Sequence, residues 1–137
     1  MKKTVAIILM LMMVLSAATV FAADIRVLVN GEEIQFDRAP ELNGQTVMIP
    51  YRFVAEKLGA KVSWHQETQT VFAEYNGSIV TAQIGNNLMF VNGDVFNLEN
   101  APVLSTDRTL VPGDVFVNAM GVKFSWDEAT STVTIEK

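Results

Sequence analysis

Only a few side chains in this sequence have the type and spacing to do chemistry. His65 is the single histidine, and it follows Trp64 in a polar stretch. A histidine base needs a nucleophile and an orienting group. Asp127 occupies the corresponding place after Trp126, so the position asks only for a polar turn residue. The paired acids Glu32-Glu33 and Asp127-Glu128 sit near turns, where carboxylates are solvated. Hydrolases need two such groups at a controlled separation in a cleft, and nothing places these together. Calcium would call for an Asp-x-Asp-x-Asp-Gly loop, which is missing. Copper would call for several His or Cys ligands, or Met for the reduced ion. Met48, Met89 and Met120 fall at apolar positions of strands or helices and read as core fillers. Trp64 and Trp126 could stack sugars, but each shares a strand face with Val62 or Phe124, which favours core packing. Arg52 could meet an anion, or pair with Glu56 one helical turn on. No phosphate loop, nucleophile elbow or zinc-helix motif occurs. No catalytic residue, cofactor or metal is expected.

The elements that would position these residues come twice. Landmarks recur 62 positions apart: Pro50 and Pro112, Gly59 and Gly121, Trp64 and Trp126, Val71 and Val133. The match runs upstream without a gap through Val29-Asn30-Gly31 and Val91-Asn92-Gly93, giving 15 identities over 52 aligned positions. Two tandem copies are therefore expected, about 24–75 and 86–137, joined by a strand over 78–84. Within a copy, an extended run from Thr46 to Ile49 meets Pro50, placed in the first turn of a helix. Tyr51, Val54, Ala55 and Leu58 follow helical spacing, and Gly59 stops the helix. Lys61 to Trp64 and Thr70 to Tyr75 read as strands around a polar turn. The second copy places Phe116 and Met120 on the helix face and Gly121 at the stop. A helix of about two turns is unstable alone, so each copy is a hairpin, short helix and hairpin. The class is α+β with one shared core. Pro50, Val54, Leu58, Gly59, Trp64, Pro112, Phe116, Met120, Gly121 and Trp126 are its expected structural residues.

Asn30-Gly31, Asn76-Gly77 and Asn92-Gly93 each sit between extended runs and signal hairpins, because both turn residues need positive φ. Asp37 to Asn43 and Glu99 to Arg108 read as loops. Upstream of all this, residues 1–22 have a positive start at Lys2 and Lys3, ten apolar residues from Val5 to Val14, and a small-residue end at Val20-Phe21-Ala22. This predicts a signal peptide and leaves 23–137 as one domain. The rival is an uncleaved anchor, since Thr4 to Ala23 nearly reaches spanning length.

The run VNGEEIQFD (Val29 to Asp37), the run from Pro50 to Glu56, LGAKVSW (Leu58 to Trp64) and their second copies resemble the copper amine oxidase N-terminal-like, or stalk, domain of secreted bacterial proteins. The resemblance covers about Ile25 to Ile135. It implies antiparallel sheets twisted around short helices and an extracytoplasmic, accessory role. The family's name comes from the non-catalytic stalk of an oxidase. The family pattern has a basic residue two places after the proline; Arg52 matches it and Asp114 departs from it. One histidine cannot supply an oxidase's ligand cluster, so amine oxidase activity is excluded.

The chain carries a formal net charge of −5, which becomes −7 without Lys2 and Lys3. That disfavours nucleic acid and anionic lipid as partners. There is no cysteine, so thiol catalysis and thiolate metal sites are excluded. No wall-anchoring tail or membrane segment is read at the C-terminus, so if the signal is cleaved, retention at the cell would come from binding, or the protein would leave the cell. The reading is a secreted, non-enzymatic binding or structural module of the cell envelope, with no membrane contact after signal cleavage. Its expected partner is an envelope protein or a cell-wall polymer. The alternatives are a self-associating stalk and a small extracellular hydrolase. The loops Asp37 to Gln45 and Glu99 to Arg108, with Arg52, Asn43 and Arg108, are the expected contact surface.

Overall fold

The computed structural model describes residues 24–137; the expected signal peptide at 1–22 lies outside the described residues. In chain order the elements are β1 (Arg26–Val29), β2 (Glu32–Glu33), β3 (Glu41–Asn43), β4 (Thr46–Pro50), α1 (Tyr51–Lys57), β5 (Lys61–His65), β6 (Thr70–Tyr75) and β7 (Ser78–Gln83). They continue as β8 (Leu88–Val91), β9 (Asp94–Asn97), β10 (Val103–Ser105), β11 (Arg108–Pro112), α2 (Asp114–Met120), β12 (Lys123–Asp127) and β13 (Thr132–Glu136). The fold is β-rich α+β, and no described helix is long and apolar enough to cross a membrane.

The centre is a four-stranded sheet in the order β10-β11-β4-β3. β4 and β11 run antiparallel, with Ile49 opposite Val111, Pro50 opposite Leu110 and Met48 opposite Pro112. Val47, Met48 and Ile49 are all buried in succession, as are Leu110 and Val111. Consecutive burial means both faces of these strands are covered, which is why they read as unbroken apolar runs.

The outer sheets each draw on both halves of the chain. One has the order β12-β13-β1-β2, the other β5-β6-β7-β8-β9. In the first, β1 lies parallel to β13, with Val27 opposite Val133 and Val29 opposite Ile135. In the second, β7 stands between β6 and β8 and is antiparallel to both. The Asn-Gly pairs turn the hairpins with both residues at positive φ, for example Asn92 at 51° and Gly93 at 88°. Asn92 also accepts the Ile79 N–H at 2.8 Å through Oδ1, tying β7 to the β8–β9 turn.

One buried cluster runs from Val27 to Ile135 and takes in Tyr51, Val54, Ala55 and Leu58 around α1 and Val115, Phe116, Ala119 and Met120 from α2. Tyr51 and Phe116 stack with ring centroids 5.6 Å apart and planes 17° off parallel.

Several expectations need correcting. Pro50 and Pro112 end their strands and do not open the helices' first turns. Pro50 is the N-cap with ψ 123°, an extended value, and α2 begins only after Gly113. The reason is that each proline still belongs to the central sheet's β4–β11 register. The segments read as loops carry β3 and β10, three-residue strands that pair with β4 and β11. Only Glu32–Glu33 of the run to Phe36 is strand. The sheets are not wholly antiparallel, because β1 and β13 close the first one in parallel.

At Gly113 a Cβ would lie 2.3 Å from the Phe124 ring. Its φ of −63° makes no demand for glycine, so space alone decides the residue. Gly113→Ala is expected to cost about 1–3 kcal/mol by overpacking. Combined with Phe124→Val, most of that cost should disappear, a coupling that a urea-denaturation double-mutant cycle measures.

Candidate functional site

A cleft of about 460 Å³ opens where the start of α1, strand β5 and the β10–β11 turn meet. Pro50, Tyr51, Arg52 and Phe53 come from the strand-to-helix junction, Val62, Trp64 and Gln66 from β5 and its turn, and Leu104, Asp107, Arg108 and Thr109 from the other half. Strand alternation explains the β5 contribution. Val62 and Trp64 are half-buried on one face, and Lys61, Ser63 and His65 are exposed on the other.

The polar groups are already partnered in part. The Trp64 indole N–H donates to Gln66 Oε1 at 2.7 Å, which holds the ring's orientation. Arg108 Nε lies 3.1 Å from both carboxylate oxygens of Asp37. The Arg108 hydrogen bonds hold the Asp37 carboxyl below the usual carboxylate range, and Asp37 in turn raises Arg108. Arg52 faces Glu56 at 3.7 Å, one helical turn on. The turn that brings Asp107 and Arg108 to the cleft has Thr106 at φ 47° and Asp107 at φ 62°. A β-branched residue at positive φ is strained, at a cost of about 1–3 kcal/mol.

The residues singled out from sequence scatter around this cleft. Arg52 and Arg108 line it together, while Asn43 ends β3 and is not among the lining residues. Val54, Leu58, Phe116 and Met120 are buried, as are Pro50 and Pro112. Trp64 and Trp126 are half-buried against the core cluster. Gly59 and Gly121 are exposed at φ 101° and 65° after their helices. Met48, Met89 and Met120 are all buried. His65 is exposed, with Nδ1 3.0 Å from Thr68 Oγ1. Glu33 pairs with Arg26 at 2.9 Å and Glu32 with Lys57. Asp127 Oδ1 accepts the Ala129 N–H at 3.0 Å within its turn. Among the described residues, no three His, Asp or Glu side chains gather as a metal site needs.

The two segments read as contact loops are knitted to each other. Arg38 Nη2 donates to Ser105 Oγ at 2.7 Å and to Glu41 Oε2 at 2.9 Å, and Thr46 Oγ1 donates to Glu99. At their edges Leu42 and Leu104 are 52% and 43% exposed.

Asp114, the departure from the family's basic residue, has a local role. Its Oδ2 accepts the Glu99 N–H at 2.9 Å, which an arginine could not do. Its Oδ1 is buried without a partner. Burial, more than anything else, pushes its carboxyl up, against the pull of the Glu99 N–H.

Tyr51, which the sequence marks only as a helix-face residue, lines the cleft. Burial pushes its phenol up, and its hydroxyl is buried without a partner. The available signal was a size exchange at aligned positions: Tyr51 and Val62 in one half stand against Gly113 and Phe124 in the other.

Taken together, the geometry defines a β-rich domain with a mixed polar and apolar cleft. Residues 28–135 match the copper amine oxidase N-terminal domain, and the chain belongs to that family. In the oxidases from which the family takes its name, this domain is non-catalytic. The chain is also similar to a protease inhibitor of Brevibacillus choshinensis, with 30% identity over 99 residues. That alignment covers 72% of this chain and 30% of the relative's length.

The Asp114 carboxyl yields a pH test. Its folded-state pKa is raised, so the folded state holds the proton more tightly than the unfolded one. Stability from this group is therefore lost as pH rises above the ordinary Asp value through the raised one. Asp114→Asn keeps an acceptor for Glu99 and carries no charge. Relative to the parent protein it should gain stability between about pH 3.5 and about pH 7, as measured by urea unfolding at both.

Proposed function

We propose that this chain is a secreted, non-catalytic binding module of the cell envelope, with residues 1–22 as a cleaved signal peptide and 23–137 as the working domain. The observation that carries the reading is the family match over residues 28–135. The engagement of the candidate carboxylates in ion pairs and turns also supports it, because a hydrolase needs such groups convergent and free.

The domain is read as two copies of one unit, 24–75 and 86–137, joined by the strand over 78–84. Two features support this. Ile49 and Val111, opposite each other in the central sheet, are 62 positions apart. Pro50 and Pro112, also 62 apart, flank that point symmetrically, opposite Leu110 and Met48. A two-fold relation between the copies would pass between Ile49 and Val111.

The partner is an envelope protein or a wall polymer. A second reading, self-association through strand edges, is favoured by the exposed Leu42 and Leu104 on the edge strands β3 and β10.

Co-sedimentation of the purified protein with isolated wall sacculi, bare or bearing surface proteins, tests the proposal. Pelleting with bare walls is expected for a polymer binder, and pelleting only with protein-bearing walls for a protein binder. A wholly soluble protein in both mixtures contradicts envelope binding. A monomer at high concentration in analytical ultracentrifugation contradicts self-association.

A further inference from the structure

The aligned positions of the two halves differ in side-chain size where the cleft lies. In the C-terminal half the Phe124 ring lies over the backbone at Gly113, in the space a side chain there would need. In the N-terminal half the aligned residues are Val62 and Tyr51. Tyr51 turns inward, stacks on Phe116 and is 1% exposed. Val62 is too short to reach the place of the Phe124 ring, and the cleft of about 460 Å³ is bounded by these two residues and Trp64. That volume lies in the range of about 300–1,000 Å³ used by small-ligand sites.

The chemistry of the walls selects a ligand class. Trp64 supplies a half-buried aromatic surface held in one orientation by Gln66. Both guanidinium groups at the cleft have a carboxylate neighbour, Glu56 for Arg52 and Asp37 for Arg108. With Glu56, Asp37 and Asp107 counted, the cleft and its immediate neighbours carry no net positive charge. An anionic ligand would thus gain little. The walls instead present N–H donors on the guanidinium groups and the Gln66 amide, with acceptors on Asp107 and Thr109. Hydroxyl-bearing ligands use such planar donors and acceptors well, and an indole face takes the apolar C–H face of a sugar ring.

We propose that this cleft, lined by both halves beside Tyr51 and Val62, is a binding site for a neutral oligosaccharide; at the aligned positions Gly113 and Phe124, the Phe124 ring takes the corresponding space. Trp64 stacks on a ring, and Arg52, Arg108, Asp107 and Gln66 meet its hydroxyls. The proposal rests on the reading of the chain as an envelope-binding module and names the ligand class of that module.

The test is titration calorimetry of the purified protein against chitotetraose, cellotetraose, maltotetraose and mannotetraose. At least one should bind, with an affinity indifferent to salt because no net ion pairing is involved. Val62→Phe copies the residue of the other half and should fill the cleft, weakening binding about tenfold or more. Trp64→Ala should do the same and Trp126→Ala should not. Because Trp64→Ala could unfold the domain, Val62→Phe, checked for unchanged urea unfolding, decides the matter.

The proposal is overturned if no tetrasaccharide binds, if Val62→Phe binds as the parent does, or if Trp126→Ala abolishes binding while its urea unfolding shows it folded. It is also overturned if no sugar binds while Val62→Phe prevents pelleting with protein-bearing walls, since the cleft would then take a peptide. If the protein pellets with walls and Val62→Phe pellets equally, envelope binding survives and this site falls. If neither walls nor sugars bind, both readings fall.

Discussion

The antiparallel pairing of β4 with β11 is the contact on which the rest of this structure depends. It joins the two halves of the chain at their most buried strands, with Ile49 opposite Val111 and neither exposed. A buried strand must satisfy its backbone groups within the protein, since water cannot reach them. Each strand can do so only with the other beside it, and β3 and β10 complete the sheet at its edges. Both strands end in proline, which brings no N–H, and a helix follows each within two residues. The central pairing thus also sets where α1 and α2 start. Tyr51 and Phe116, from those two helices, then stack across the core.

The outer sheets extend the same dependence. The hairpin β1–β2 joins β12–β13 from the far end of the chain, and β5–β6 shares a sheet with β8–β9. Neither half completes an outer sheet from its own strands. Contacts so distant in sequence close loops of large entropy before they return any stabilisation, and each outer sheet needs strands from both halves. The cleft inherits the arrangement: Trp64 and Arg52 come from one half, Asp107 and Arg108 from the other. It exists only when the halves are assembled.

Much of the local structure was legible in the residues. The Asn-Gly turns, the helical spacing of Tyr51, Val54, Ala55 and Leu58, and the alternation of β5 and β12 are short-range signals with short-range causes. The strands β3 and β10 were not legible. Glu41–Asn43 and Val103–Ser105 are too short for alternation to register, and they exist because a longer strand lies beside them. The parallel closure of β1 on β13 leaves no trace in either segment, since it is decided by tertiary placement. The family followed from whole motifs and matches over residues 28–135. The candidate site was only half legible. Arg52 and Arg108 could be picked as exposed cations, but their meeting at one cleft depends on the β4–β11 register. The cleft itself is a difference in size, Tyr51 and Val62 against Gly113 and Phe124, and shows only when aligned positions are compared for volume.

Interdependence of the halves is the central claim, and the two tryptophans report on it directly, since Trp64 and Trp126 lie in different outer sheets. Trp64→Phe leaves one reporter and Trp126→Phe the other. Urea unfolding of each variant, followed by tryptophan fluorescence and by far-ultraviolet circular dichroism, compares local with global loss of structure. If the halves form one cooperative unit, fluorescence and circular dichroism coincide in both variants. If either tryptophan signal is lost well before the circular dichroism, the halves unfold separately and the account is wrong.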